Sequence, residues 1–208
     1  MRTLLPVGYF PTISYFAYLI SGEPILEIHE HFVKQTFRNR CTILGANGRL
    51  NLLVPKEKAN VRLTVGETKI HNEVDWQTLH WRSLEAAYRK SPYFEYYEDD
   101  IKPFFEQTRT SMFLTNMESI QMVCNLLALD FDARTSTEYD VNPEGLNLRS
   151  AWNKQDYLKL NPVKDYPRYI QVFSDRHEFE PDLSILDLLF CLGPKAVDYL
   201  KNLEREFH

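Results

Sequence analysis

Seven glycines in 208 residues are about half the usual share, and that scarcity narrows the chain's options more than any other feature. Folds that bind nucleotides through glycine-lined loops announce themselves by fixed glycine spacing. Here there is no GxGxxG, no GxxxxGK[ST] and no GxSxG. The dinucleotide fingerprint, the P-loop and the hydrolase nucleophile elbow are therefore absent. A phosphate-bearing ligand must be held by side chains or by a helix N-terminus.

Charge removes further classes. The chain carries 29 acidic and 24 basic residues, a net charge of -5, which is the wrong sign for general adhesion to nucleic acid or anionic lipid. No basic stripe accompanies the 12 tyrosines and 13 phenylalanines, so nucleic acid is not an expected partner. No apolar run approaches the roughly 18 residues of a transmembrane helix. Pro6 and Gly8 interrupt the first ten residues, leaving no signal-peptide core. Cys41, Cys124 and Cys191 are odd in number and lack CxxC spacing, which predicts free thiols and a cytoplasmic chain. The length predicts a single domain over residues 1–208; oligomeric state is left open.

The order of elements predicts an α/β or α+β protein with a mixed sheet, a hairpin-containing N-terminal half and a mostly helical C-terminal half. Strands are expected over Arg2 to Gly8 and Ile25 to His29, with a short helix over Ser14 to Ile20 between them. Phe37 to Leu44 and Arg49 to Val54 flank Asn47-Gly48, a hairpin signal. Val61 to Val65 and Thr68 to Ile70 read as extended. Asp75 caps a helix with Trp76, Leu79, His80, Leu84, Ala87 and Tyr88 on one face. Ser91-Pro92 ends it, and a capping box at Thr115 to Glu118 starts another. Residues 130–166 are polar and irregular, a possible lid. Tyr169 to Phe173 reads as a returning strand. Two helices follow, Asp182 to Cys191 and one entered through Gly193-Pro194.

Four blocks in order carry a resemblance. They are Tyr9-Phe10-Pro11 with Tyr15-Phe16; Lys34-Gln35-Thr36-Phe37-Arg38-Asn39-Arg40-Cys41; Trp76, His80-Trp81, Leu84, Tyr88 and Ser91-Pro92-Tyr93-Phe94 with Tyr96-Tyr97; and Gln171-Val172-Phe173 with Leu183 to Phe190. Together they resemble the WbqC-like family of bacterial proteins. That resemblance implies a place in the assembly of O-antigen and other surface polysaccharides, where transfer of an amino acid such as glycine onto a sugar has been suggested.

Within these blocks Arg38 and Arg40 are the sharpest chemical feature. On a strand from Phe37 to Leu44 they share one face, roughly 7 Å apart at their roots. Two guanidinium forks there, joined by Lys34, suit one phosphate or carboxylate. The competing reading pairs both arginines with carboxylates such as Glu27 or Glu30. His80 lies on or beside the buried stripe, either a general acid–base or a core histidine. Tyr88, Tyr93 and Tyr97 belong to an aromatic run that suits the wall of a sugar pocket, although two or three of its five rings are expected in the core. His29 and His31 share a strand face, but no third ligand lies at metal-site spacing. Neither metal nor cofactor is expected. Cys41 points away from both arginines on a regular strand and reads as a small buried thiol.

Three functional classes remain open. One is a transferase acting on a nucleotide- or phosphate-linked sugar, with Lys34, Arg38 and Arg40 on the anion, His80 taking a proton, and Tyr93 or Tyr97 lining the sugar. Another is a non-catalytic binding or assembly protein using the same anion site. The third is a structural partner whose aromatic-rich face packs on another subunit. Convergence of Arg38, Arg40 and His80 on one polar pocket favours the first; a His80 sealed in the core removes its base.

Overall fold

A computed structural model describes residues 1–132, 134–153 and 163–205 of the chain. Strand β1 (Arg2–Pro6) lies between β2 (Glu23–Glu27) and β5 (Leu146–Asn147) and runs parallel to both. Its residues from Thr3 to Pro6 are all buried, as expected of a parallel strand covered on both faces. Parallel neighbours need a crossover, which α1 (Ile13–Leu19) supplies between β1 and β2; every residue of that helix is buried. A second sheet is the antiparallel hairpin of β3 (Arg40–Gly45) and β4 (Gly48–Leu53). Parallel and antiparallel pairing thus both occur, in two small sheets.

The hairpin turns on Ala46-Asn47, one position earlier than the Asn47-Gly48 motif predicts. Gly45 pairs with Gly48, and Gly48 takes φ 99°, a left-handed value that glycine adopts without steric cost. The strand also starts later than predicted, at Arg40, so Phe37 to Asn39 lie outside it. That difference undoes the alternation argument for Arg38 and Arg40.

Helix α2 (Trp76–Tyr88) begins at Asp75, whose carboxylate accepts from the Thr78 amide. It buries Trp76, His80, Trp81, Leu84, Ala87 and Tyr88, whereas Leu79, expected on that face, is exposed. Helix α3 (Phe94–Glu106) was not anticipated, because Pro92 suggested extended chain. Pro92 precedes the helix, and Phe94, Tyr97, Ile101, Phe104 and Phe105 repeat at helical spacing on its buried face. Helix α4 (Met112–Leu126) starts ahead of the Thr115 box, since Ser111 already caps it by accepting from the Leu114 amide. Helices α5 (Ile185–Leu192) and α6 (Ala196–Asn202) close the described chain, joined through a 3-10 turn at Gly193–Lys195.

Tyr169 to Phe173 forms no strand. The Gln171 side chain supplies the pairing instead, donating to the Glu180 carbonyl at 2.9 Å and accepting from the Glu180 amide at 3.0 Å. Of the predicted excursion over 130–166, residues 133 and 154–162 lie outside the described residues. No helix among the described residues is long and apolar enough to cross a membrane, and all three cysteines are free and buried.

Candidate functional site

A pocket of about 410 Å³ opens where six stretches of the chain meet, within the usual size range of small-molecule sites. Its lining comes from Phe10 to Thr12 ahead of α1, Gln35 to Phe37, Arg40 to Thr42 at the start of β3, Arg49 and Asn51 on β4, and Trp152 with Asp182. Backbone strain gathers here. Among the described residues four non-glycine positions have positive φ, and Phe10 (37°), Gln35 (61°) and Asp182 (52°) all line this pocket. Such conformations cost about 1–3 kcal/mol each and persist where the surroundings over-determine them, typically at functional sites.

The surroundings do so. The Phe10 amide donates to Ser119 Oγ at 3.1 Å, and the Phe10 carbonyl accepts from Ser184 Oγ at 2.9 Å. The Asp182 carboxylate accepts from the Ser14 amide at 2.7 Å and from Ser14 Oγ at 2.8 Å. Trp152 Nε1 donates to the same Ser14 Oγ at 2.8 Å, so one buried serine aligns an aromatic wall and an acidic wall. The Tyr9 amide donates to the Phe37 carbonyl at 2.9 Å. A Cβ on Gly8 would come within 2.0 Å of the Phe37 ring, so only bare backbone at residue 8 leaves room for that ring in the pocket wall. Phe37 and Trp152 meet edge to face, their centroids 5.9 Å apart.

Two cations face this aromatic floor. Arg49 is half-exposed and bonded to Glu180 at 2.6 Å. Arg40 differs: its Nε is buried without a hydrogen-bond partner, and among the described residues no carboxylate pairs with it. A buried guanidinium N–H left unmade costs free energy that an incoming acceptor recovers. Cys41 also lines the pocket, but burial pushes its thiol up to about 12, which disfavours the thiolate that nucleophilic chemistry needs.

The remaining sequence-predicted residues go elsewhere. Arg38 is fully buried and spends all five of its N–H donors inside the protein. Nε and Nη2 reach Glu30 Oε1 at 2.9 and 2.7 Å, Nη1 reaches Thr36 Oγ1 and Asn153 Oδ1, and Nη2 also reaches the Arg149 carbonyl. It is a structural ion-pair partner, and Arg38 and Arg40 do not converge. Lys34 lines a separate cleft. Tyr88 is buried, donating to Asp187 Oδ1 at 2.8 Å, while Tyr97 is buried on α3 and Tyr93 packs beneath Gly193. None of the three lines the pocket. His29 Nε2 lies 3.2 Å from the Ser136 carbonyl, and no group of three metal-ligating side chains occurs among the described residues.

His80 is sealed in the core. Its Nε2 contacts the Leu53 carbonyl at 3.2 Å, so that nitrogen carries the proton, and Nδ1 accepts from Tyr9 OH at 2.9 Å. Both ring nitrogens of a neutral imidazole are thereby satisfied, and burial lowers its pKa from 6.5 to about 4. The histidine lines no part of the pocket. Between pH 6.5 and 4 the unfolded chain binds this proton and the folded chain does not, so stability falls as the pH drops. Glu30, raised by burial, acts with the opposite sign. A His80→Gln substitution therefore isolates the histidine's share. Denaturant unfolding at pH 7 and pH 4.5 is expected to show the variant losing about 2 kcal/mol less than wild type over that interval. Equal losses would mean that His80 is protonated in the folded state.

Sequence reasoning missed Trp152, Asp182, Ser14 and Arg49. Asp182 and Ser14 are 168 positions apart, and neither stands in a local motif that signals its partner. Arg49 was legible only as the first residue of the second hairpin strand.

Fold and pocket together describe a mixed α/β protein with a pocket that has an aromatic floor and a guanidinium without a carboxylate partner among the described residues. Residues 7–162 match the WbqC-like protein family, and the chain belongs to that family. The matched stretch holds every lining residue of the pocket except Asp182. An uncharacterized protein of Mycobacterium tuberculosis, Rv1507c, is 28% identical over 221 aligned positions, covering 93% of this chain and 92% of that one. No solved structure matches the chain.

Proposed function

We propose that the protein binds a phosphate-bearing sugar, free or nucleotide-linked, in the pocket between Arg40, Trp152 and Asp182, and that it serves surface-polysaccharide assembly. The observation that carries this reading is the Arg40 guanidinium beside an aromatic floor, with a buried Nε that no described residue satisfies. An arginine fork matches phosphate geometry, and ring faces of Phe37 and Trp152 suit the apolar face of a sugar. Asp182, Thr12 and Asn51 offer polar atoms for hydroxyl groups.

Binding is favoured over transfer chemistry by the state of the groups that could carry out chemistry. The histidine that a transferase reading would use as its base is locked in the core, and the pocket cysteine is held as a thiol. Asp182 is the acidic group lining the pocket, and Ser14 already engages both its oxygens. A ligand that binds only the folded chain raises its melting temperature by mass action. The test is a thermal-shift series with UDP-glucose, glucose 1-phosphate and glucose. Stabilisation by the first two and not by glucose supports the reading. No shift with any phosphate-bearing member removes it.

A further inference from the structure

Lys34 was expected beside Arg40, yet it faces a different cleft. That cleft, of about 230 Å³, is lined by Lys34, Lys56 and Arg62 together with Phe32 and Thr68, and no acidic residue is among its lining. In a chain of net charge -5 this concentration of one sign is unusual. We propose that the cleft is a second anion site, and that it takes a phosphate or diphosphate group. The inference is independent of the pocket reading, because no lining residue is shared.

Three observations support the assignment. First, none of Lys34, Lys56 and Arg62 takes part in an ion pair among the described residues. Lys56 donates to the carbonyl of its neighbour Glu57 at 3.2 Å and stands 5.7 Å over the Phe32 ring. Second, the walls are fixed by backbone bonds. The Phe32 amide donates to the Leu63 carbonyl at 3.0 Å, and the Glu57 amide donates to the Lys69 carbonyl at 3.0 Å. Bridges between His31 and Thr64 and between Lys56 and Ile70 continue the same pairing. Cations on pinned walls repel one another unless an anion lies between them. Third, the volume is below the range for a drug-sized ligand, which suits a compact polyanion or the phosphate end of a larger molecule.

Both sources of that phosphate are chemically equivalent at the cleft. The chain itself links the two sites closely, since Lys34 faces the cleft and Gln35, the next residue, lines the pocket with φ 61°. A diphosphate belonging to the pocket's own ligand and a separate phosphate compound would meet the same three cations.

The experiment is isothermal titration of the full chain with inorganic pyrophosphate at low salt. Wild type is expected to bind, and the Lys34→Ala/Lys56→Ala double variant to lose at least roughly tenfold in affinity. Lys34 is exposed and Lys56 half-buried, so the variant is expected to keep its fold, checked by its melting curve. The Arg40→Ala variant, which lacks the pocket's guanidinium, is expected to retain pyrophosphate binding at the cleft. A wild-type chain that ignores pyrophosphate, or a double variant that binds it unchanged, overturns the cleft. Loss in Arg40→Ala alone overturns it too while leaving the pocket reading intact. A parallel titration with UDP-glucose separates the sources: loss in both variants shows one ligand spanning both sites, and loss in Arg40→Ala alone assigns the cleft to a separate phosphate compound.

Discussion

Replacing Arg38 with alanine is expected to destabilise the protein by about 3–5 kcal/mol, the usual cost of breaking a buried ion pair from one side. The side chain is fully buried, and each of its donors has an acceptor. Removing it strands the Glu30 carboxylate, which is itself buried and whose pKa is already raised by burial. It also cuts the tie to Asn153 and the Arg149 carbonyl, which hold the segment that carries Trp152. Against a total stability of roughly 5–15 kcal/mol, such a loss is severe. For a chain of this size it corresponds to a fall in melting temperature of about 6–20 °C. Arg38→Lys is expected to recover part of this, because lysine restores the charge but not the fork. Arg38→Met/Glu30→Leu is expected to recover more than Arg38→Met alone, since removing both charges leaves no unpaired ion. Calorimetric melting of the four variants decides the matter. An Arg38→Ala chain that melts like wild type would show that the pair contributes nothing.

The contrast between Arg38 and Arg40 shows what the sequence could and could not disclose. The hairpin was legible, because Asn47-Gly48 between two apolar runs is a local signal, and so was α2, whose cap and buried stripe lie within one window. Whether Arg38 and Arg40 share a face depended on where β3 begins. That is decided by distant contacts: Asn116 Nδ2 on α4 donating to the Arg38 carbonyl at 2.7 Å, and Glu30 drawing the guanidinium inward. A shift of the strand start from Phe37 to Arg40 was enough to send one arginine into the core and leave the other at the pocket. Helix α3 was hidden for a different reason: Pro92 lies ahead of it rather than within it, and Pro103, which does lie within it, leaves the helix continuous. The pocket itself was illegible. Its strained residues Phe10, Gln35 and Asp182 come from separate parts of the chain, and the serines that hold two of them, Ser119 and Ser184 on Phe10 and Ser14 on Asp182, are not signalled by any local motif. Tyr88, Tyr93 and Tyr97, expected to wall a sugar pocket, do not line this one, and Tyr88 and Tyr97 are buried in the core. The aromatic walls belong instead to Phe37 and Trp152.

Replacing Arg40 with alanine is expected to leave the melting temperature near that of wild type and to weaken binding of a sugar phosphate by roughly 10- to 150-fold. The first half follows from the side chain's isolation: no carboxylate among the described residues pairs with it, and its backbone pairing with Leu53 does not depend on the side chain. The second half follows from the strength of a charge-assisted bond to a phosphate, about 1.5–3 kcal/mol, which sets the stated range of affinity. Arg40→Lys is expected to fall between, since an ammonium carries the charge without the planar pair of donors. Arg49→Ala is expected to cost less, because that guanidinium is half-exposed and already neutralised by Glu180. Titration of glucose 1-phosphate or UDP-glucose into each variant, with melting curves alongside, tests this order. An Arg40→Ala variant that melts and binds as wild type sinks the pocket as an anion site. One that melts far below wild type would place Arg40 with Arg38, as a residue the fold itself requires.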